Sequence, residues 1–116
     1  FHRDDGRWEL VDYKPALGRG SSPAERLDRY WLQLGAYALA VGRWLGQMPA
    51  RASAYDYRTG KAVGIDVTDD VAERWETGIR EVIDGIAAGQ FEAEAESCDV
   101  CRLASACRGL RGGDAV

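Results

Sequence analysis

The chain has 116 residues but one histidine, His2, and three cysteines, Cys98, Cys101 and Cys107, confined to ten consecutive positions. Three thiols in so short a span cannot close a disulfide framework, and the odd count points instead to a metal or cluster site in a cytoplasmic protein. A single histidine reads as a polar residue on a strand face, not as a ligand. Arg43, Gly46 and Gln47 interrupt the longest apolar stretch, so no segment approaches the roughly 20 residues that a spanning helix requires. A basic excess is also missing. The net charge of −4 argues against a domain whose whole surface neutralises phosphates, but it leaves room for an acidic site that holds a divalent cation. There is no internal repeat or low-complexity segment. The chain opens on Phe1 without an initiating Met or a leader-like stretch, and is expected to be a piece of a longer protein. What is present, 46% hydrophobic residues, suffices for one modest domain.

Arg7–Lys14 is rich in strand formers, with Trp8, Leu10, Asp12 and Lys14 alternating onto one face. Asp4, Asp5 and Gly6 before it predict a hairpin turn, and Pro15 after it ends regular pairing. Ser22 or Ser21 caps a helix expected from Pro23 to about Leu45, on which Leu27, Trp31, Leu34, Ala38, Val41 and Leu45 recur at helical spacing. Gln33 and Tyr37 lie one turn apart on that helix. Two strands, 52–57 and 61–67, form a hairpin around Arg58, Thr59 and Gly60. A second helix capped by Thr68 or Asp69 follows, with an apolar stripe of Val71, Trp75, Ile79, Val82, Ile83 and Ile86.

Asp12 and Lys14, at i and i+2 on a strand, leave the same face together. A carboxylate that holds a cation and an ammonium that steadies developing charge form a plausible pairing for phosphodiester hydrolysis. An isolated D-x-K is more often a solvated strand face. The cysteines, spaced C-x2-C-x5-C, can bind either zinc or an iron–sulfur centre.

The apolar lead-in to Asp12 and Lys14, followed on a helix by Gln33 and Tyr37, resembles the PD-(D/E)xK nuclease superfamily, in particular its RecB-like branch with AddB and CRISPR-associated members. That resemblance implies an α/β restriction-endonuclease-like core, a mixed sheet flanked by helices, N-terminally truncated and carrying a C-terminal cysteine-rich cluster loop. Residues 1–92 would be the C-terminal part of the nuclease core and residues 93–116 an iron–sulfur-binding tail. Asp12 would be a metal ligand, with the Tyr13 carbonyl a possible second ligand for Mg2+ or Mn2+. Lys14 would be the catalytic lysine, and Gln33 and Tyr37 would line the site. Cys98, Cys101 and Cys107 would hold a 4Fe-4S cluster with a fourth cysteine from farther upstream, tying the tail to the start of the domain.

Two departures accompany the resemblance. Pro15, Ala16 and Leu17 follow the lysine where the family usually has Thr or Ser with Gly. A further metal-binding Asp is expected just before Phe1. The resulting expectation is a metal-dependent DNA endonuclease or exonuclease, acting on DNA and associated with a helicase domain or subunit, and inactive as this piece alone. The alternatives are a non-catalytic DNA- or helicase-binding module on a degenerate nuclease fold and a small zinc-binding structural domain.

Overall fold

The computed structural model describes residues 3–17, 22–91, 98 and 101–107. Its elements run β1 (Glu9–Lys14), α1 (Pro23–Leu45), β2 (Arg51–Asp56), β3 (Lys61–Asp66) and α2 (Asp69–Ala87). The chain divides into two compact units, Phe1–Asp84 and Gly85–Val116. The first holds a three-stranded mixed sheet in the order β1-β2-β3, with β1 and β2 parallel and β2 and β3 antiparallel. Parallel neighbours cannot be joined by a tight turn, and α1 supplies the crossover between them. The β2–β3 pair needs only the turn at Tyr57–Gly60, where Gly60 takes a φ of +69° that disfavours a side chain. The turn at Asp4–Gly6 forms as expected, closed by the Gly6 N–H donating to the Arg3 carbonyl (3.0 Å).

Local chemistry sets the ends of α1. Ser22 Oγ accepts from the Glu25 N–H (3.2 Å) and the Glu25 carboxylate accepts from the Ser22 N–H (2.8 Å). This reciprocal cap satisfies two of the orphan donors at a helix start, and Pro23 fits the first helical position because its missing N–H has no partner to lose. Gly46, in the left-handed region at φ +68°, terminates the helix. The chain then folds back so that Met48 occupies the space where a Cβ on Gly42 would lie.

The face of α1 that meets the core is built from Leu34, Gly35, Ala38 and Gly42. Small residues there let neighbours approach closely. Leu34, Ala38, Ala52, Val71 and Trp75 form the main buried cluster, flanked by Leu10, Leu27, Tyr30, Trp31, Leu39, Met48, Ile65 and Val67. A second cluster joins Leu17, Ala54 and Val63, and Tyr30 packs against both. Leu10, Ala52 and Ile65 share one register row and Asp12, Ala54 and Val63 another, so the helix-covered face of the sheet is also the face that carries Asp12.

The Trp75 indole lies against Gly35, where any Cβ would collide with its ring, and it tilts against Trp31 at a centroid distance of 5.3 Å. The apolar stripe of α2 is buried only in its first half. Val71 and Trp75 are covered, whereas Val82, Ile83 and Ile86 are 47–58% exposed. Periodicity alone does not specify which turns of a helix meet a neighbour, and about half of each of these three side chains is left to solvent. Trp75 Nε1 is buried without a hydrogen-bond partner, a cost of roughly 1–3 kcal/mol against the ring's contribution. Trp75→Ala is therefore expected to lose about 3–5 kcal/mol in denaturant unfolding. Trp75→Phe, which removes the orphaned N–H while keeping most of the ring, is expected to lose much less; equal losses would contradict this packing.

Candidate active site

β1 ends with Asp12 and Lys14 on the face that α1 crosses, and their side chains are each 18% exposed. Lys14 Nζ lies 2.8 Å from Asp12 Oδ2. It donates to Gln33 Oε1 at 2.6 Å. Because the ammonium can only donate, it fixes the amide's orientation, and Gln33 Nε2 in turn donates to the Tyr37 hydroxyl at 3.3 Å. The Tyr30 ring completes the cradle, with the ammonium 4.8 Å from its centroid, within the range of cation–π attraction. Thus the structure brings together all four side chains expected from sequence, Asp12, Lys14, Gln33 and Tyr37.

The ion pair is not saturated. Asp12 Oδ2 is buried and accepts no hydrogen bond of good geometry, although the ammonium is beside it. A carboxylate oxygen suits a hard cation, which takes oxygen donors, and Asp12 fits as one such ligand beside its lysine. Among the described residues, no group of three His, Cys, Asp or Glu side chains is placed to hold a metal ion. Tyr13 points its ring to the opposite face, 66% exposed and edge-on to Tyr55 at 5.6 Å, so only its carbonyl remains as a candidate donor.

Two residues beside the site had no role assigned from sequence. Tyr30 lies one turn before Gln33 on α1. Its contact with Lys14 depends on how the helix crosses β1, which no local pattern encodes. Asp56, in register with Lys14, is almost fully buried at 5% exposure. Its Oδ2 accepts from the Leu17 N–H (3.3 Å) and its Oδ1 from the Arg58 (2.9 Å) and Thr59 (3.3 Å) N–H groups. It therefore clamps the segment after Lys14 to the β2–β3 turn. Burial pushes the Asp56 carboxyl up, but the hydrogen bonds from the Arg58 backbone, the Thr59 side chain and the Leu17 and Thr59 backbones outweigh it and hold the group below its ordinary value of 3.8.

The cysteines do not form a ready site. No disulfide joins Cys98, Cys101 or Cys107, and Cys101 is exposed. Backbone bonds from Cys101 N–H to Cys98 O (3.3 Å) and from Cys107 N–H to Leu103 O (2.9 Å) fold them into two successive turns. As placed, they do not gather into a group that could hold a metal ion; sequence spacing sets reach but not convergence. A cavity of about 700 Å³ lies elsewhere, at the opposite end of the sheet, lined by Arg3, Asp4, Asp5, Glu9, Arg51 and Asp66. Its charges are largely spent on the Arg3–Asp5 and Arg51–Asp66 pairs.

The family model for the PD-(D/E)XK nuclease superfamily matches residues 2–108. No curated protein and no solved structure matches the chain.

Because the folded Asp56 value lies below the unfolded one, its stabilisation is complete above pH 3.8 and is lost as pH falls below that value toward the folded pKa. Asp56→Asn should lower the melting temperature at pH 7 and narrow its difference from the parent protein as pH drops below about 4. A difference that does not change with pH in circular dichroism melts would contradict this.

Proposed function

The chain belongs to the PD-(D/E)XK nuclease superfamily, and on that premise we propose that it carries the lysine half of a metal-dependent DNA nuclease site of the RecB-like type. The observation that carries the reading is the cradle around Lys14. Asp12, Gln33 and Tyr30 hold one ammonium at the end of β1, where it can stabilise charge developing on a phosphoryl oxygen. Nucleases of this superfamily generally use divalent metals. Asp12, with the Tyr13 carbonyl as a possible second donor, would hold Mg2+ or Mn2+, which when bound supplies Lewis-acid polarisation of the phosphoryl group.

This chain's own residues position and orient. Gln33, locked by Tyr37, aims its carbonyl oxygen at the lysine and thereby fixes the ammonium over the strand end. Asp56 keeps the following segment in place without facing the reaction itself. With Asp12 as the carboxylate next to the lysine and no three-ligand group among the described residues, this chain alone is expected to be inactive or severely impaired. A divalent cation there would need further oxygen ligands besides Asp12. The same observation is what a non-catalytic DNA- or helicase-binding module would show, and the assay separates the two.

Cleavage of plasmid and linear DNA by an N-terminally extended protein should require Mg2+ or Mn2+ and stop with chelator. It should fall on the order of 10²–10⁴-fold in kcat with Lys14→Ala, and the present chain should cut little or nothing. Unchanged cleavage by the Lys14→Ala variant would overturn the assignment. The proposal extends to a 4Fe-4S cluster on Cys98, Cys101 and Cys107, on the strength of their spacing; binding would require the three thiols to be drawn together. Anaerobic purification of the extended protein should yield iron and sulfide in near-equal amounts, whereas stoichiometric zinc would refute the cluster.

A further inference from the structure

The last register row of the sheet holds Lys14 on β1, Asp56 on β2 and Lys61 on β3. Residues paired across a sheet project from one face, so Lys61 leaves the same face as the Asp12–Lys14 site. Lys14 and Lys61 are the only lysines in the chain. Arg58 lies in the turn that joins the same two strands, and both Arg58 and Lys61 are exposed. The ion pairs of the described residues include neither one.

The carboxylate between them does not cancel these charges by pairing. Asp56 is buried and spends both oxygens on the N–H groups of Leu17, Arg58 and Thr59. The turn's remaining donors are also used: Tyr57 N–H on the Lys14 carbonyl (3.2 Å), Gly60 N–H on the Asp56 carbonyl (2.8 Å) and Lys61 N–H on Thr59 Oγ1 (3.4 Å). A backbone anion nest is thereby excluded, because no N–H of the turn is left to form one. The result is an internally braced platform that offers an anion two free side-chain cations.

We propose that Arg58 and Lys61 form a phosphate-backbone contact that holds the DNA strand beside the Asp12–Lys14 site. This inference rests on the nuclease reading above and deepens it. Strands in a sheet are spaced about 4.8 Å apart, which sets Lys61 roughly 10 Å from Lys14 across two steps. At about 3.4 Å of rise per nucleotide, a strand with one phosphate at Lys14 reaches Lys61 within about three nucleotides. Contacts of this kind position the strand and carry no base specificity. They also reconcile DNA binding with a net charge of −4, because the cations are local to the site.

The test is the salt dependence of binding of fluorescein-labelled DNA to the chain, by anisotropy, with chelator present to prevent cleavage. Duplex and single-stranded probes are run separately. Each phosphate contact contributes about 0.9 to the log–log slope for duplex and about 0.7 for single strands. Arg58→Gln/Lys61→Gln should reduce the slope by about 1.8 or 1.4 respectively, while Arg58→Lys/Lys61→Arg retains it. Arg43→Gln, at an exposed cation on the last turn of α1, controls for the loss of one charge remote from the site and should have little effect. A double-Gln slope equal to that of the parent overturns this contact alone, as does an equal loss in the Arg43 variant. Absence of DNA binding by the parent overturns both this contact and the reading it rests on. Circular dichroism of each variant confirms that the fold is retained.

Discussion

One ammonium group organises the end of the sheet where β1 stops. Lys14 reaches from the end of β1 to Asp12 on its own strand, to Gln33 on α1 and over the ring of Tyr30. Only the Asp12 contact is local; the Gln33 and Tyr30 contacts both come from α1, which is remote from β1 in sequence. They require β1 and β2 to be parallel, because parallel pairing obliges the chain to cross back over the sheet, and the crossover is the helix that carries Gln33, Tyr30 and Tyr37. The approach of that helix depends in turn on Gly35, Ala38 and Gly42, whose small side chains leave room for Trp75 and Met48. The packing of the hydrophobic core and the placement of the lysine are therefore a single geometric problem.

Much of this was legible in the sequence because it is written in local chemistry. Ser22, Pro23 and Glu25 define a helix start by capping alone, and the pattern of apolar residues carries that helix to Leu45. Gly60 fixes the β2–β3 turn, and the alternation around Asp12 and Lys14 assigns both to one face. Other features depend on contacts between distant segments. The capture of Lys14 by Tyr30 follows from the crossing of α1 over β1. The role of Asp56 arises from Leu17, 39 positions away in sequence. The apolar stripe of α2 correctly announced a helix, but Val82, Ile83 and Ile86 in its second half are left about half to solvent. Likewise the spacing of the cysteines established which residues could act together, and the backbone turns around them show that proximity in sequence is not yet convergence in space.

The acidic net charge and the proposed nucleic-acid substrate are compatible through the distribution of carboxylates. Asp12 is engaged by the lysine it accompanies, and Asp56 is consumed by backbone N–H groups. Arg58 and Lys61 remain exposed at the same end of the sheet. At the opposite end, Arg3 with Asp5 and Arg51 with Asp66 pair off their charges. The sheet thus has one end whose charges are largely neutralised internally and another where cations face solvent near the Asp12–Lys14 pair. Short-range arrangement, more than total charge, determines where an anionic polymer would lie.

The central claim is that the buried oxygen of Asp12, beside Lys14, is a cation-binding position. Titration of the isotope-labelled chain with Mn2+, read as paramagnetic broadening of backbone amide signals, tests it without reliance on cleavage. The account predicts broadening centred on residues 12–14, extending to Gln33 and abolished by Asp12→Ala. Broadening centred elsewhere, or unchanged in that variant, would contradict it.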